Sequence, residues 1–393
     1  MTLDGPDFRE THAQIAAALV RRFGPHCLEP ALDAVQEAFV AALQSWPMQG
    51  QPSNPKAWLH KAAERRLIDQ LRKTRRETAW PSQDLVAEGT APDDELALYF
   101  MVCSPKLKMG EQVCLILRTL GGLTAAEIAG LFHESEEAVQ RRISRAKSKL
   151  DPQDLEPADP ATAMPSVLLA LYLMFTEGYE AQRGQYYLRP ELAAEALRLT
   201  DILAGHAGGR FPDLYALSAL MHFHSSRIKA RLDADGLPIL FADQDPALID
   251  RSHIGAGFAA LEQAQAAPRL SRYHVEAGLA AAVAAGARSH EILRWHELLV
   301  ESFPTPMARL AHAVAVGTCR GPKAGLAALA ALKREPRIVR TPQYHAAIGH
   351  FCALDGDRVA GAAAYRRAVG LSISNPIRQS LEQRAEELSN SGQ

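Results

Sequence analysis

Apolar residues recur at three- and four-residue spacing along almost the whole chain, which is the pattern of amphipathic helices. Strict alternation of apolar and polar positions is not seen, so we expect no strands. Two stretches interrupt the helical pattern. Residues 77–95 are rich in Pro, Gly and acidic residues, and residues 151–165 contain four prolines without a lasting period. The pattern therefore predicts an all-α protein with three helical parts.

These interruptions set the predicted domain boundaries. The segments are a first part (1–76), an acidic linker (77–95), a second part (96–150), a second linker (151–165) and a third part (166–393). The third part is rich in Ala and Leu, and its short apolar stripes are separated by Gly and Pro. That arrangement favours a stack of helical hairpins, although no fixed repeat length is visible.

Charge is segregated along the chain, although its formal net value over 393 residues is only -2. Eight basic residues lie within 56–76, five lie within 138–150, and acidic residues crowd the stretch between these blocks. A charge run by itself usually marks a solvated helix face. The basic blocks become informative only through the elements that carry them.

Several classes of protein are disfavoured by the sequence. The acidic, polar start is unlike a signal peptide, and no uninterrupted apolar run reaches the roughly 18 residues that cross a bilayer. The five cysteines never form a CxxC pair, which suits free thiols in the cytoplasm. His222-Phe223-His224 would point its two rings about 200° apart on a helix, and P-loop and nucleophile-elbow motifs are absent. We expect no membrane, metal, cofactor or enzymatic activity.

The second part contains a helix-turn-helix pattern. Thr124 and Glu127 have the spacing of a capping box, and Ser135 is placed to cap a second helix. One face of that second helix is apolar, with Val139 and Ile143. The opposite face carries Gln140, Arg141, Ser144, Arg145 and Ser148. Such a face suits a reader of the DNA major groove. An unrelated helical hairpin with a solvated basic face fits the same pattern.

The first part pairs an amphipathic helix with a basic one. Asp33, Gln36 and Glu37 lie on the outward face of the first helix, and Ser45-Trp46-Pro47 is predicted to begin a polar loop. A basic helix then starts near Pro55. Aromatic residues beside a basic strip are typical of sites for single-stranded nucleic acid. Core packing is the other interpretation of the tryptophans, and we favour it for Trp58.

In this order, the segments resemble a sigma factor of the extracytoplasmic-function (ECF) class. DAVQEAF, SWP and NPKAWLHKAAERRLIDQLRKTRRE resemble sigma region 2, and LRTLGGLTAAEIAGLFHESEEAVQRRISRAKSKL resembles region 4. LYLMFTEGY (171–179), LPILFADQD (237–245) and DRVAGAAAYRRAVGL (357–371) resemble the long, tetratricopeptide-like C-terminal extension of one sigma subgroup. The resemblance covers nearly the whole chain.

The resemblance implies a function and partners. Such a protein binds core RNA polymerase through the β′ clamp helices and the β flap, and it directs promoter-specific initiation in the cytoplasm. The C-terminal helical domain would control this activity in cis, in response to a regulatory protein or ligand, or it would serve only as a scaffold. The alternative is a helix-turn-helix regulator with a helical sensor domain that never acts as a sigma subunit.

The resemblance also assigns candidate site residues. The polymerase contact would comprise Asp33, Gln36 and Glu37. Contacts to the minus-ten region would come from Trp46, Arg65, Arg66, Arg72, Lys73, Arg75 and Arg76. Contacts to the minus-thirty-five region would come from Gln140, Arg141, Ser144, Arg145 and Lys147. Candidate regulatory contacts are Glu177, Tyr179, Asp243 and Asp245.

Leu32 departs from the family pattern, because an acidic residue is common at its position. This departure predicts a weaker affinity for core polymerase, which Leu32→Glu would raise.

Overall fold

The computed structural model describes residues 6–24, 27–77, 98–132, 134–150, 158–181, 183–207 and 210–390. Within these ranges every named element is a helix, and pairing of the β type is limited to two isolated bridges, Gly184–Ser374 and Leu232–Pro238. The predicted all-α class is confirmed. The chain forms two compact units, residues 1–174 with 194–196 and residues 175–193 with 197–393, which are described separately.

The first unit begins with three helices that pack on one another: α1 (Pro6–Phe23), α2 (Leu28–Gln49) and α3 (Pro55–Glu77). Their shared core includes Leu19, Val35, Phe39, Leu59 and Leu67, all buried. The apolar spacing of α2 predicts that Val35, Phe39, Ala42 and Leu43 face inward. The first three are buried, but Leu43 is 52% exposed, so the prediction is wrong at that position. Polar residues at the intervening positions of these two helices stay on the surface.

Helix α2 is longer than the sequence predicts, since it continues through Ser45-Trp46-Pro47 to Gln49. Pro47 has no backbone N–H, so the helical hydrogen bond from position 47 is missing, and the helix ends two residues later at Gln49. The Ser45 hydroxyl donates to the Ala41 carbonyl at 2.8 Å, which satisfies an acceptor in the same stretch. The connection to α3 therefore shrinks to residues 50–54, where Gly50 has a φ of 84° that disfavours other residue types.

The second group of helices in this unit forms the predicted helix-turn-helix. Helix α4 (Met109–Leu115) continues as a wider turn over Ile116–Leu120, followed by α5 (Ala125–Phe132) and α6 (Glu136–Lys149). Leu117, Leu123, Ile128 and Val139 are fully buried between them. The buried Gln112 side chain donates to the carbonyls of Cys103 and Ser104, which ties the preceding segment to α4.

Helix α7 (Pro160–Tyr179) begins inside the stretch predicted as the second linker. Asp159 caps it by accepting from the Thr162 backbone N–H, and Pro160 occupies the first helical position, where proline is favoured. Length and composition alone would let α7 cross a bilayer, but 61% of its apolar stretch is buried, as in a core helix. Residues 151–157 of that linker lie outside the described residues, as do residues 78–95 of the acidic linker and the next two residues, 96 and 97.

Eleven further helices are described in the rest of the chain. They are α8 (Pro190–Ala207), α9 (Pro212–Ser225), α10 (Arg251–Ala264), α11 (Arg272–Ala284), α12 (Ser289–Ser302), α13 (Pro306–Arg320), α14 (Pro322–Ala331), α15 (Pro336–Val339), α16 (Pro342–Leu354), α17 (Arg358–Leu371) and α18 (Asn375–Asn390). From α9 onward, most helices that follow one another along the chain pack together; the exception is α14, which packs on α13 and α16 rather than on the short α15. This is the stacking that the apolar stripes predict.

Aromatic rings from neighbouring helices pack directly against glycines inside these helices. A Cβ atom at Gly278 would lie 2.3 Å from Trp295, and one at Gly317 would lie 2.2 Å from Phe351. Both distances are far inside van der Waals contact, so the helix backbones approach one another closely only because these positions lack side chains. The small residues of the third part thus set the spacing of its helices.

Candidate nucleic-acid interface

Both helices of the helix-turn-helix begin as predicted. The Thr124 N–H donates to Glu127 Oε2 at 2.6 Å and the Glu127 N–H donates to Thr124 Oγ1 at 3.2 Å, which completes a capping box before α5. Ser135 Oγ accepts from the Ala138 N–H at 3.3 Å at the start of α6. Glu136 and Glu137 follow in the first turn, where the helix dipole favours negative charge.

Helix α6 has one buried and one exposed face. Val139, Ile143 and Ala146 are buried against the domain. The exposed face carries all five residues predicted for the minus-thirty-five region: Gln140, Arg141, Ser144, Arg145 and Lys147. Because they project from a single capped helix, they form a continuous polar and basic surface.

Two neighbouring arginines of α6 have different environments. Arg141 is exposed on the polar face. Arg142 donates through Nη2 to both carboxylate oxygens of Glu134, at 2.8 and 2.6 Å, and its guanidinium lies over the Phe132 ring. Arg142 therefore fastens the turn to α6, and the sequence alone did not separate it from the other basic residues.

The last turn of α6 is tied down by two ion pairs. Lys149 Nζ lies 2.6 Å from Glu111 Oε1, and this hydrogen bond, together with one from the Lys108 N–H, lowers the pKa of the Glu111 carboxyl. Lys147 Nζ lies 2.5 Å from Glu29 Oε2 in the first turn of α2. The Lys147 ammonium group is thus paired with a carboxylate in this structure.

The predicted polymerase-contact residues share the outer face of α2. Asp33, Gln36 and Glu37 are all exposed. Glu37 Oε2 lies 3.3 Å from Arg66 Nε, so an ion pair joins this face to the basic helix α3.

Leu32 does not belong to that outer face. It is 4% exposed and packs in the core, while Asp33 beside it is exposed. Leu32→Glu would therefore place its carboxylate in the core and not on the proposed polymerase-contact face, which argues against the expected gain in polymerase affinity.

We expect Leu32→Glu to destabilise the first unit by about 3 kcal/mol or more, since it removes buried apolar surface and buries a charge. Thermal unfolding measures the loss. Gln36→Glu is the matched control, because it adds an acidic residue one turn away on the exposed face and should leave stability within about 0.5 kcal/mol. Equal stability of the two variants would contradict the assignment of faces on α2.

Helix α3 presents its basic residues to solvent along one side. Arg65, Arg72 and Lys73 are exposed, whereas Arg66 is half-buried against Glu37. Arg75 and Arg76 lie in the helix, but their side chains are outside the described residues. The exposed members form a basic strip that extends away from the loop 50–54.

Trp46 is a correction to the predicted minus-ten surface. Its side chain is 8% exposed and meets the Trp58 ring edge-on, with centroids 5.5 Å apart. The ring is therefore not available to stack on a base in this structure, and core packing accounts for both tryptophans. The presence of an aromatic residue near basic residues in the sequence does not indicate whether its ring lies on the buried or the exposed side of α2.

The candidate regulatory residues of the third part do not form one exposed surface. Glu177 is 2% exposed, whereas Asp243 and Asp245 are exposed. Asp245 caps the turn Pro246–Leu248 by accepting from the Ala247 N–H at 2.8 Å, which gives it a structural role. Tyr179 is half-buried near the end of α7 and packs against His224, with ring centroids 4.8 Å apart.

Histidines of the third part pair with one another. His222 Nδ1 lies 2.9 Å from His253 Nδ1, and His222 Nε2 lies 3.2 Å from Asp201 Oδ2. The rings of His222 and His224 have different surroundings, as the helical spacing predicts. Over the described ranges, His, Cys, Asp and Glu side chains form no cluster of three or more suited to a metal ion.

Comparison with known families matches three segments of the chain. Sigma-70 region 2 matches residues 8–77, and sigma-70 region 4 matches residues 98–150. A family of unknown function, DUF6596, matches residues 163–265. Over 386 residues the chain is 32% identical to an uncharacterized protein of Rhizobium meliloti (strain 1021), covering 92% of this chain and 90% of that protein. No solved structure matches.

The class of protein is thus a sigma factor, built from a region 2 domain and a region 4 domain. The chain belongs to the same family as the Rhizobium meliloti protein, as an ECF-like sigma factor with a C-terminal extension. Core RNA polymerase and promoter DNA are the partners that these two regions imply.

Proposed function

We propose that this chain is an ECF-type sigma subunit that directs promoter-specific initiation in the cytoplasm and that its C-terminal unit controls this activity in cis. The observation that carries the sigma role is the division of exposed charge. An acidic and amide-bearing face lies on α2, and basic faces lie on α3 and α6, within the segments matched to regions 2 and 4.

Region 4 would read the minus-thirty-five element through α6 while its domain contacts the β flap. Arginine and glutamine side chains discriminate base edges in the major groove, where an α-helix fits. Gln140, Arg141 and Arg145 have the exposure that this role requires. Ser144 and Lys147 would contact the sugar-phosphate backbone of the DNA. Such contacts fix the position of the protein along the duplex without reading the base sequence.

Region 2 would bind the β′ clamp helices through Asp33, Gln36 and Glu37. The exposed strip of α3, with Arg65, Arg72 and Lys73, would hold phosphates of the minus-ten region. We propose Trp46 as a positioning residue, since its packing on Trp58 holds the end of α2 against the start of α3.

For Lys147 to contact promoter DNA, a DNA phosphate would have to replace the Glu29 carboxylate as the partner of its ammonium group. Both side chains are about 40% exposed, and ion pairs of this kind contribute roughly 0–1 kcal/mol. A phosphate can therefore replace the carboxylate at small cost.

Control in cis is supported by similarity to a relative along the whole length of the C-terminal unit. The similarity to the Rhizobium meliloti protein spans 386 residues, so it continues through the C-terminal unit. Neighbouring helices of that unit stack on one another, and we propose that they form a tetratricopeptide-like array, a kind of array that presents an extended binding surface. We propose that the unit restrains the sigma regions and releases them when its own ligand binds.

Truncation tests this control. The chain 1–179 keeps all of α7, whose Ser166 hydroxyl donates to Gln112 in region 4, whereas a cut at 166 would remove that contact. Because the unit is proposed to restrain the sigma regions, we expect truncation to raise transcription from a cognate promoter at least about tenfold, the effect of 1.4 kcal/mol of coupling. Unchanged transcription would contradict control in cis.

A full-length variant gives a second test that does not depend on the folding of the truncated chain. Gly317→Leu forces the packed Phe351 ring away and disrupts the C-terminal unit without shortening the chain. Gly255→Leu is the matched control, because Gly255 is exposed and a Cβ there meets nothing within 4 Å. Transcription should rise in the first variant and stay at the wild-type level in the second. Equal activity of the two would contradict the proposal.

A further inference from the structure

The C-terminal unit brings together two arginines that the roles above do not use. Arg227 follows the end of α9, and Arg231 follows the short turn Ile228–Ala230. The chain then forms a tight hairpin, in which the Ile239 N–H donates to the Arg231 carbonyl at 2.9 Å. The hairpin returns Phe241 and Gln244 to Arg227. Two motifs of the sequence, LYLMFTEGY and LPILFADQD, therefore meet at this arginine pair.

Arg231 is deeply placed within this group. Its side chain is 11% exposed, and its guanidinium lies 3.7 Å from the centroid of the Tyr179 ring. Nη2 donates to the Tyr187 hydroxyl at 2.6 Å and approaches Glu180 Oε2 at 3.4 Å. Nε is buried and has no hydrogen-bond partner. An orphaned donor on a charged group is costly, so it indicates a missing acceptor.

Arg227 lies at the edge of the group. Nε and Nη2 both donate to Gln244 Oε1, at 3.1 and 2.7 Å, and the guanidinium stacks on Phe241 at 3.5 Å from the ring centroid. Phe241 is 59% exposed, so this side of the pair faces solvent. Among the described residues, no carboxylate forms an ion pair with Arg227. Asp245, next to Gln244, is occupied in capping its own turn.

Positive charge exceeds negative charge around the two arginines. Among the described residues, Glu180 is the carboxylate that approaches the pair, with Oε2 3.4 Å from Arg231 Nη2, so two guanidiniums share one nearby negative charge. The nearby His224 adds no charge at neutral pH, because burial, with both arginines, lowers the pKa of its ring to about 4. Partly buried charge without a partner is unfavourable. An anion placed between solvent and the pair would relieve this.

We propose that Arg227 and Arg231 form a binding site for a small oxyanion, a phosphate or carboxylate group of a soluble ligand. The planar fork of a guanidinium matches the two oxygens of either group. Arg227 would meet the anion at the surface, Arg231 would supply its orphaned Nε, and the faces of Tyr179 and Phe241 would hold both forks in place. That this ligand is the signal for control in cis rests on the function proposed above.

Thermal unfolding of the full chain in sodium phosphate, sodium succinate or sodium chloride of equal ionic strength tests the site. At ten times its dissociation constant, a bound oxyanion should raise the melting temperature by about 4 °C over chloride. Phosphate and succinate distinguish the two ligand chemistries. No rise with either salt would overturn the proposal.

Variants locate the bound anion. Arg227→Gln and Arg231→Lys should each require about tenfold more oxyanion for the same rise, the second because it keeps the charge but loses the fork. Arg288→Gln, at an exposed arginine of the same unit, should respond like wild type. So should Arg141→Ala/Arg145→Ala, which removes basic residues from α6. A full response in Arg227→Gln, or its loss in Arg141→Ala/Arg145→Ala, would place the anion elsewhere and overturn the proposal.

These measurements involve no transcription. If the anion binds but transcription is unaffected by the C-terminal unit, the site stands and the proposed control in cis fails. If no anion binds, the truncation experiment still decides whether the unit controls initiation.

Discussion

Replacing Arg141 and Arg145 together by alanine is expected to reduce promoter-specific initiation about 100-fold or more. Each guanidinium that reads a base edge contributes about 1–3 kcal/mol of discrimination. Arg141 and Arg145 are neighbours one turn apart, so their losses need not add fully, but together they reach the roughly 2.7 kcal/mol that corresponds to about 100-fold. Both side chains are exposed on α6 and pack against no core residue, so the fold should be retained. Run-off transcription with core polymerase, together with thermal unfolding, measures the two effects.

Arg142→Ala is the informative comparison. Its guanidinium binds Glu134 and covers Phe132, so its removal should lower the melting temperature of the protein rather than act through DNA contact. Arg288→Ala in the C-terminal unit controls for the loss of a surface arginine. Wild-type initiation by the double variant would show that α6 does not read the promoter.

Glu37→Arg is expected to weaken binding to core polymerase by about 30- to 100-fold. Reversal of a charge at an interface brings like charges together, which costs several kcal/mol. The exposed ion pair with Arg66 contributes little to folding, so the free energy of unfolding should change by less than about 1 kcal/mol. Equilibrium binding of the labelled chain to core polymerase is the measurement.

A charge swap separates contact from positioning. Glu37→Arg combined with Arg66→Glu restores the ion pair between α2 and α3, but it leaves a positive charge on the outer face of α2. If Glu37 touches polymerase, the swapped pair binds as weakly as Glu37→Arg alone. Recovery of wild-type affinity would mean that Glu37 acts only by holding Arg66, and this outcome would contradict the proposed contact. Binding is the readout because Arg66 is also a predicted DNA contact.

Capping and helical periodicity could be predicted from the sequence because they depend on residues close together in the chain. Thr124 and Glu127 form the predicted capping box, and Ser135 caps α6. The buried face of α6 and the exposed positions of Gln140 and Arg141 follow from the spacing of its apolar residues.

Residues whose environment depends on distant partners could not be predicted in this way. Trp46 faces inward because Trp58 lies opposite it on α3. Leu32 is a different case, since its spacing of three positions from Val35 and seven from Phe39 already indicates the buried face of α2. The ion pair of Lys147 with Glu29 joins positions more than a hundred residues apart. Local pattern carries no signal for such pairings.

The arginine pair of the C-terminal unit shows the same limit. Tyr179 and the 243–245 segment stood out in the sequence as separate motifs, but Arg227 and Arg231 did not. Only the fold shows that both arginines lie between these motifs and that the Glu180 carboxylate approaches the pair. Counting charges along the sequence cannot show which acids are near enough to neutralise which bases.

The most direct test of the sigma assignment is reconstituted transcription with core RNA polymerase, the full chain and a library of random duplex DNA. The assignment predicts chain-dependent transcripts whose templates share two sequence blocks at a fixed spacing upstream of the start, with the upstream block lost in the Arg141→Ala/Arg145→Ala variant. DNA binding by the chain without any chain-dependent initiation would contradict the assignment and would favour a helix-turn-helix regulator instead.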